Sequence, residues 1–297
     1  VTEAAARPRG RTTRQRRLAE AAQRTRQAAG LTRDSSGSGA ERTASPRPRA
    51  PDLSALAGLL ARSGSIEALA ERFSRARDAR HRGLRHVAYA EIPHGAKSYL
   101  AAGLLAATQE RLVWVARDAE VADRVADELL AWLGDPAQVV VLEPRTALAY
   151  ERSELVRDES AARVAALARW RSGGTRVLVA SVQALFQHTI APTDLPAEPL
   201  ELRAGQRVAQ GRVLRELVGL GYEALPEVGG RGELARRGGI VDVFAAGHAL
   251  PVRIEWFGDE IESLRAFDPT DQRTVGSVDA LRLLPASEFL VPGGGAL

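Results

Sequence analysis

From Pro51 onward, apolar and polar positions recur at the periods of secondary structure. In residues 53–76, Leu56, Leu59 and Leu60, then Ile66, Leu69 and Phe73, fall at helical spacing, with a Ser-Gly-Ser break between two helical segments. "RHVAYAEI" (85–92) alternates like a strand, and "RLVWVAR" (111–117) reads as the next one. Asp118 then caps a predicted helix whose Val121, Val125, Leu129 and Leu133 share one face. "QVVVLEP" (138–144), a helix around 158–171 and "TRVLVASVQALF" (175–186) continue the alternation. Short β-branched runs separated by amphipathic helices predict a parallel sheet with helices on its faces. Trp114, Trp132 and Trp170 lie on these elements and read as core or groove filler.

The alternation stops near Ala191, at the Pro-rich "APTDLPAEPLELRAGQRV". A helix over residues 212–218, with Gly219 and Gly221 behind it, leads into short extended runs: "GGIVDVFAA", "LPVRIEWF" and "EIESLRAFD". Phe257-Gly258-Asp259-Glu260 fits a tight hairpin turn, and Val252, Ile254 and Trp256 fall on one face of their strand. These features predict a small antiparallel sheet packed with one helix. Phe244, Trp256, Phe257 and Phe267 are expected in its core. The predicted fold class is therefore α/β: a parallel-sheet domain with a small α+β domain inserted into it. The expected boundaries are a tail over 1–50, the first domain over 51–194, the small domain over 195–273, and a return segment starting at 274.

Charge separates the tail from the rest. Residues 1–50 carry twelve arginines against four acids, a net of +8, and the whole chain is +4, so residues 51–297 come to −4. The tail lacks an apolar stripe and is expected to be disordered. It is either a basic arm for nucleic acid or a non-specific extension; no aromatic interleaves its arginines as a stacking surface requires. Without cysteine there is no disulfide framework or thiolate metal site, and the five histidines show no metal-binding spacing. No run approaches about 20 apolar residues, so no membrane span is expected, and the composition fits the cytoplasm.

The sole lysine, Lys97, is followed by Ser98 at the start of a helix, as in the phosphate loop GxxxxGK[ST]. Aligned on that pair, Glu91 stands at the first glycine and Ala96 at the second. A Cβ at Ala96 crowds the backbone nest, and a carboxylate at Glu91 adds negative charge beside a polyphosphate. Gly95 compensates in part. Gly95, Ala96, Lys97 and Ser98 thus read as a degenerate phosphate loop without hydrolysis or a bound cofactor; the alternative is that Lys97 and Ser98 still bind ATP. Asp259, Glu260 and Glu262 sit on a hairpin without an apolar pocket and read as a solvated turn, not an acid-base pair.

"RGELARRGGIVDVFAA…LPVRIEWFGDEIESLRAFDPTDQRT…LLPASEF" resembles the N-terminal module of the bacterial transcription-repair coupling factors, which is similar in turn to the first part of the excision-repair protein UvrB. The resemblance runs from about residue 56 to 289 and is most specific over 231–289. It implies a helicase-like α/β domain with a degenerate phosphate loop, and a small α+β domain that binds UvrA. It further implies that RNA polymerase and double-stranded DNA are engaged by later domains, and that contact with the C-terminal domain masks the UvrA surface. UvrB itself has an intact phosphate loop and an aromatic-rich hairpin; here the loop is broken, and Tyr150 is the only aromatic between residues 144 and 157. Arg231 and Arg237 fall on arginines of the UvrB pattern "RGxFxVRG", Arg236 clusters with them, and Phe244 matches an apolar neighbour. One further arginine of that pattern, after the tyrosine matching Tyr222, is replaced by Glu223-Ala224. Read alone, the arginines fit either a partner surface or a solvated loop paired with Glu227, Glu233 or Asp242.

Overall fold

The computed structural model describes residues 52–78, 91–108, 110–146, 154–196 and 198–289. The tail, residues 85–90 of the expected strand 85–92, and Tyr150 lie outside them. The described residues fall into two compact units: one over Leu200–Leu283, the other over 52–199 together with 284–289.

The larger unit opens with two helices, α1 (Ser54–Ala61) and α2 (Gly64–Asp78), divided at the Ser-Gly-Ser break. In α1 the buried residue is Ala57, whereas Leu56 and Leu59 are exposed. Leu60 packs instead onto α3 (His94–Thr108), where a Cβ at Gly103 would come within 2.8 Å of its Cδ2. That close approach is what the glycine permits. Strand β1 (Leu112–Ala116) is followed by α4 (Ala119–Leu133), whose N-cap Asp118 accepts a 2.8 Å hydrogen bond from Val121 N–H. At its other end Gly134 closes the helix in the left-handed conformation, φ 72°. The face of α4 read from the sequence is the one that packs: Val125 and Leu129 are buried, with Val121 and Leu133 against the same cluster. Each such side chain contributes about 1.5–3 kcal/mol by leaving water.

A 3₁₀ turn at Pro136–Gln138 shortens the next strand to β2 (Val139–Leu142). Helix α5 (Glu154–Arg171) starts earlier than the apolar pattern indicates. β3 (Val177–Ser181) runs directly into the short helix α6 (Val182–Phe186), capped by Ser181. The sheet is parallel, in the order β1-β3-β2, with β3 buried at every position. Trp114 and Trp170 are half-buried against the two faces, and Trp132 stacks on Tyr99 with ring centroids 4.7 Å apart.

The smaller unit contains β4 (Leu200–Leu202), α7 (Gln210–Gly219) and the short β5 (Glu223–Ala224). Then come β6 (Glu233–Arg237), β7 (Ile240–Val243), β8 (Val252–Phe257), β9 (Glu260–Phe267), β10 (Thr274–Ser277) and β11 (Leu281–Leu283). Six strands form one sheet in the order β10-β9-β8-β7-β6-β5; its pairings are antiparallel except β5 with β6. The expected antiparallel sheet is thus a mixed one. Residues 274–283 supply β10 and β11 to this unit, β11 pairing with β4, and the chain rejoins the larger unit from residue 284. No described helix is long and apolar enough to cross a membrane.

Candidate functional site

The two places where the sequence concentrates candidate chemistry are both described. At the phosphate-loop position, Glu91 takes a left-handed φ of 63°, the backbone shape for which a working loop uses glycine. The wrapping loop is missing, however. Helix α3 begins at His94, and Ala96 N–H already closes a turn on Pro93 O at 3.0 Å. Gly95, Ala96, Lys97 and Ser98 are therefore all helical, and a Cβ on Gly95 would meet nothing within 4 Å. Neighbouring helical residues point about 100° apart, and the two key side chains diverge accordingly. Lys97 is exposed at the rim of an apolar cavity of about 560 Å³ lined by Leu100, Leu104, Leu105, Leu112 and Trp114. Ser98 is 1% exposed, on the face that also buries Ala102 and Leu105, and its Oγ has no hydrogen-bond partner. In a working loop the lysine reaches the far phosphates and the hydroxyl holds magnesium; here the Ser98 hydroxyl is packed inside, closed to a metal ion.

The second place is the sheet of the smaller unit, where register assigns each side chain to a face. Residues paired across strands share a side, and those along a strand alternate. Leu234 and Arg236 oppose Val243 and Val241, and Val241 opposes Ile254, so all lie on one side. That side is buried: Val241, Val243, Ile254, Ile261 and Leu264 are at most 2% exposed. Trp256 belongs to it and donates from its ring to Val208 O, 2.9 Å, just before α7, whose Val213 and Leu217 are buried.

The other side is open and polar. It carries Arg237, Ile240, Glu255 and Ser263 in one row, and Ala235, Asp242, Arg253 and Arg265 in the next. At its far end Phe244, Phe267, Val228 and Ala235 form a small buried cluster. Asp242 is almost fully buried and accepts two 2.8 Å bonds from Arg253. The hydrogen bond to that carboxylate, opposed by desolvation, raises the Arg253 pKa and keeps the guanidinium charged. Glu255 accepts from Ser263 at 2.6 Å and pairs with Arg265 at 3.5 Å.

The four residues singled out from the sequence separate on this frame. Arg231 lies before β6, its guanidinium 4.7 Å from the Phe244 ring centre and bonded to His248 O at 3.3 Å. Arg237 ends the same strand and bonds Pro226 O at 3.0 Å and Glu227 at 3.1 Å. Arg237 and Phe244 share the open side of the sheet, but roughly 20 Å of extended chain separates Arg231 from Arg237. Arg236 does not join them: it is exposed, but on the side of α7. Of the three acids considered as local partners, Glu227 is the one bonded to Arg237. Glu233 accepts from Gly229 and Gly230 N–H, and Asp242 is taken by Arg253.

Phe257 corrects the sequence reading. Phe244, Trp256 and Phe267 are core residues as expected, but Phe257 is 82% exposed. It stands at the hairpin tip, one residue past Trp256 and hence on the opposite side, opposite Glu260 across the turn. The extra residue Glu262 in β9 forms a bulge there, between the pairs Glu255–Ser263 and Trp256–Ile261. Asp259, Glu260 and Glu262 are exposed, consistent with a solvated turn.

Sequence reasoning missed a buried ionic cluster in the larger unit. Arg163 is 1% exposed and donates from Nε to both oxygens of buried Glu288 at 2.9 and 2.8 Å, and from Nη1 to Glu143 O at 2.6 Å. Arg145 reaches Glu288 at 2.5 Å, while Ser160 Oγ accepts from Glu288 N–H at 2.7 Å. This is a structural clip that fastens residues 284–289 to the larger unit. Among the described residues, no group of three or more His, Asp or Glu side chains could hold a metal ion.

Comparison with known proteins matches residues 200–289 to the UvrB interaction domain. The transcription-repair-coupling factor of Myxococcus xanthus is 37% identical over 204 residues, covering 66% of this chain and 17% of that protein. That of Escherichia coli (strain K12) is 33% identical over 178 residues, covering 60% of this chain and 15% of its own length. UvrABC system protein B of Synechococcus sp. is 34% identical over 116 residues, 39% of this chain and 16% of that protein. The chain is thus homologous over part of its length to both groups, and it spans under a fifth of the curated relatives it matches.

Proposed function

We propose that this chain is a non-catalytic adaptor that recruits UvrA through its smaller unit, in the manner of the N-terminal module of a transcription-repair-coupling factor. The observation that carries the reading is a coincidence of boundaries. The UvrB interaction domain match over 200–289 takes in the whole of one compact unit, Leu200–Leu283, with a polar sheet face, and six residues of the other. On that face Arg237 is half-exposed, its charge offset by a carboxylate that is itself in solvent. Guanidinium groups so placed suit bidentate pairing with carboxylates of a partner protein. Arg231, seated over the ring of the buried Phe244, forms the other end of the contact, while Arg236 faces the other side of the sheet. RNA polymerase binding and ATP-driven movement on double-stranded DNA belong, on this reading, to other parts of the longer relatives. Helix α3 supports the non-catalytic part of the proposal, because it buries the Ser98 hydroxyl that a nucleotide's magnesium would need.

The test is capture of purified UvrA by the immobilised chain and by an Arg231→Glu/Arg237→Glu variant. The variant is expected to lose at least about tenfold in affinity while melting as the wild type does. Retained binding by the folded double variant overturns the assignment.

A further inference from the structure

We infer that Phe257 is the apolar anchor of this partner surface, and that it enters an apolar socket on a protein partner that carries carboxylates roughly 10 Å away for Arg237. The inference rests on the adaptor reading and extends it to a residue outside the arginine motif.

The first support is exposure on a rigid mount. Phe257 is 82% exposed, yet its backbone is fixed on both sides. It pairs with Glu260 across a two-residue turn in which Gly258 has φ 62°. A glycine at positive φ in the first central position is the feature of a type II′ hairpin turn. Beside it, Trp256 is buried, its N–H bonded to Gly239 O at 2.9 Å and its ring to Val208 O at 2.9 Å. A benzyl group held out on such a mount loses little freedom on binding, as an anchor requires.

The second support is the company the ring keeps. Register puts Phe257 on the open side of the sheet, one row from Glu255 and Arg237, with Arg237 two strands away. On that side two of the cations reach solvent more than the anions of the inner rows: the side chains of Arg237 and Arg265 are each 49% exposed and that of Arg253 20%, against 25% for Glu255 and 3% for Asp242. Glu227, the counter-ion of Arg237, is 68% exposed, and a pair so solvated exchanges readily for a partner's carboxylate. An aromatic and arginines within a partly paired polar rim are the residue types that dominate binding energy at protein interfaces. Asp259 and Glu260 flank the ring and are exposed, which places negative charge where a nucleic-acid backbone would have to pass. The local charge therefore favours a protein over DNA.

The experiment titrates purified UvrA, and in parallel a short DNA duplex, against the whole chain and three variants: Phe257→Ser, Phe257→Leu and Arg231→Glu/Arg237→Glu. Phe257→Ser is expected to weaken UvrA binding about tenfold or more with a melting temperature within about 1 °C of wild type. Phe257→Leu, still apolar, is expected to stay within about threefold. If Phe257→Ser binds UvrA like wild type while the arginine variant loses binding, the anchor is wrong and the adaptor reading stands. If neither variant loses binding, or the wild type does not bind, both fall. A Phe257→Ser effect confined to DNA also overturns the inference.

Discussion

Replacing Glu288 by alanine should cost the larger unit more stability than any surface change in the molecule. Glu288 faces two guanidinium groups; Arg163, 1% exposed, directs its Nε at both carboxylate oxygens, and Arg145 adds a third contact. Once the carboxylate is gone, Arg163 keeps Glu143 O and Ala184 O as acceptors but has no counter-charge and no route to water. Removing one member of a buried pair costs about 3–5 kcal/mol, because the remaining charge is stranded in a low dielectric. At about 2–4 °C per kcal/mol for a unit of this size, the melting temperature should drop by roughly 6–20 °C. Tryptophan fluorescence reads it, since Trp114, Trp132 and Trp170 belong to this unit. A matched variant, Arg163→Met with Glu288→Leu, removes both charges together and should return to within about 1 kcal/mol of wild type. A shift under about 3 °C for the alanine variant, or a double variant as unstable as the single one, would refute the stranded-charge argument.

Two further outcomes are expected. A fluorescent ATP analogue should show no saturable binding to the wild type and the same background with Lys97→Ala; saturation that the substitution abolishes would restore the nucleotide reading. His248 has its pKa lowered, first by burial and then by the charge of Arg282, so the unfolded chain takes up its proton at a higher pH than the folded one. Its stabilising contribution is therefore present above about pH 6.5 and is lost as the pH falls toward the depressed folded value. The urea midpoint of the smaller unit, followed at Trp256, should accordingly decline from about pH 7.5 to 5.5. His248→Gln should flatten that slope, and equal slopes would exclude the histidine as its source.

Local patterns were legible wherever one element buries one regular face. The α4 stripe and its Asp118 cap, the Val252–Ile254–Trp256 alternation and the hairpin turn all follow from periodicity and side-chain chemistry. Features that depend on tertiary neighbours were not. Leu56 and Leu59 share helical spacing with Leu60, but Gly103 gives a close seat to Leu60 alone. Phe257 follows a buried tryptophan, and only the position of the turn decides that it faces water. Arg236 and Arg237 are adjacent in sequence and opposite in space, because a strand alternates its side chains. Arg163 is one of 40 arginines, and nothing local marks it as buried; its partner lies 125 positions away.

The clip also bears on the order in which a growing polypeptide can acquire its structure. As residues leave the ribosome in sequence, Arg163 emerges long before Glu288, and everything from Leu200 to Leu283 emerges between them. Until the last of these has been synthesised, the nascent larger unit must tolerate an uncompensated guanidinium, whereas the smaller one already has all its strands. Biosynthesis thus favours completing the later-encoded unit first, with the earlier one locked only once Glu288 has emerged.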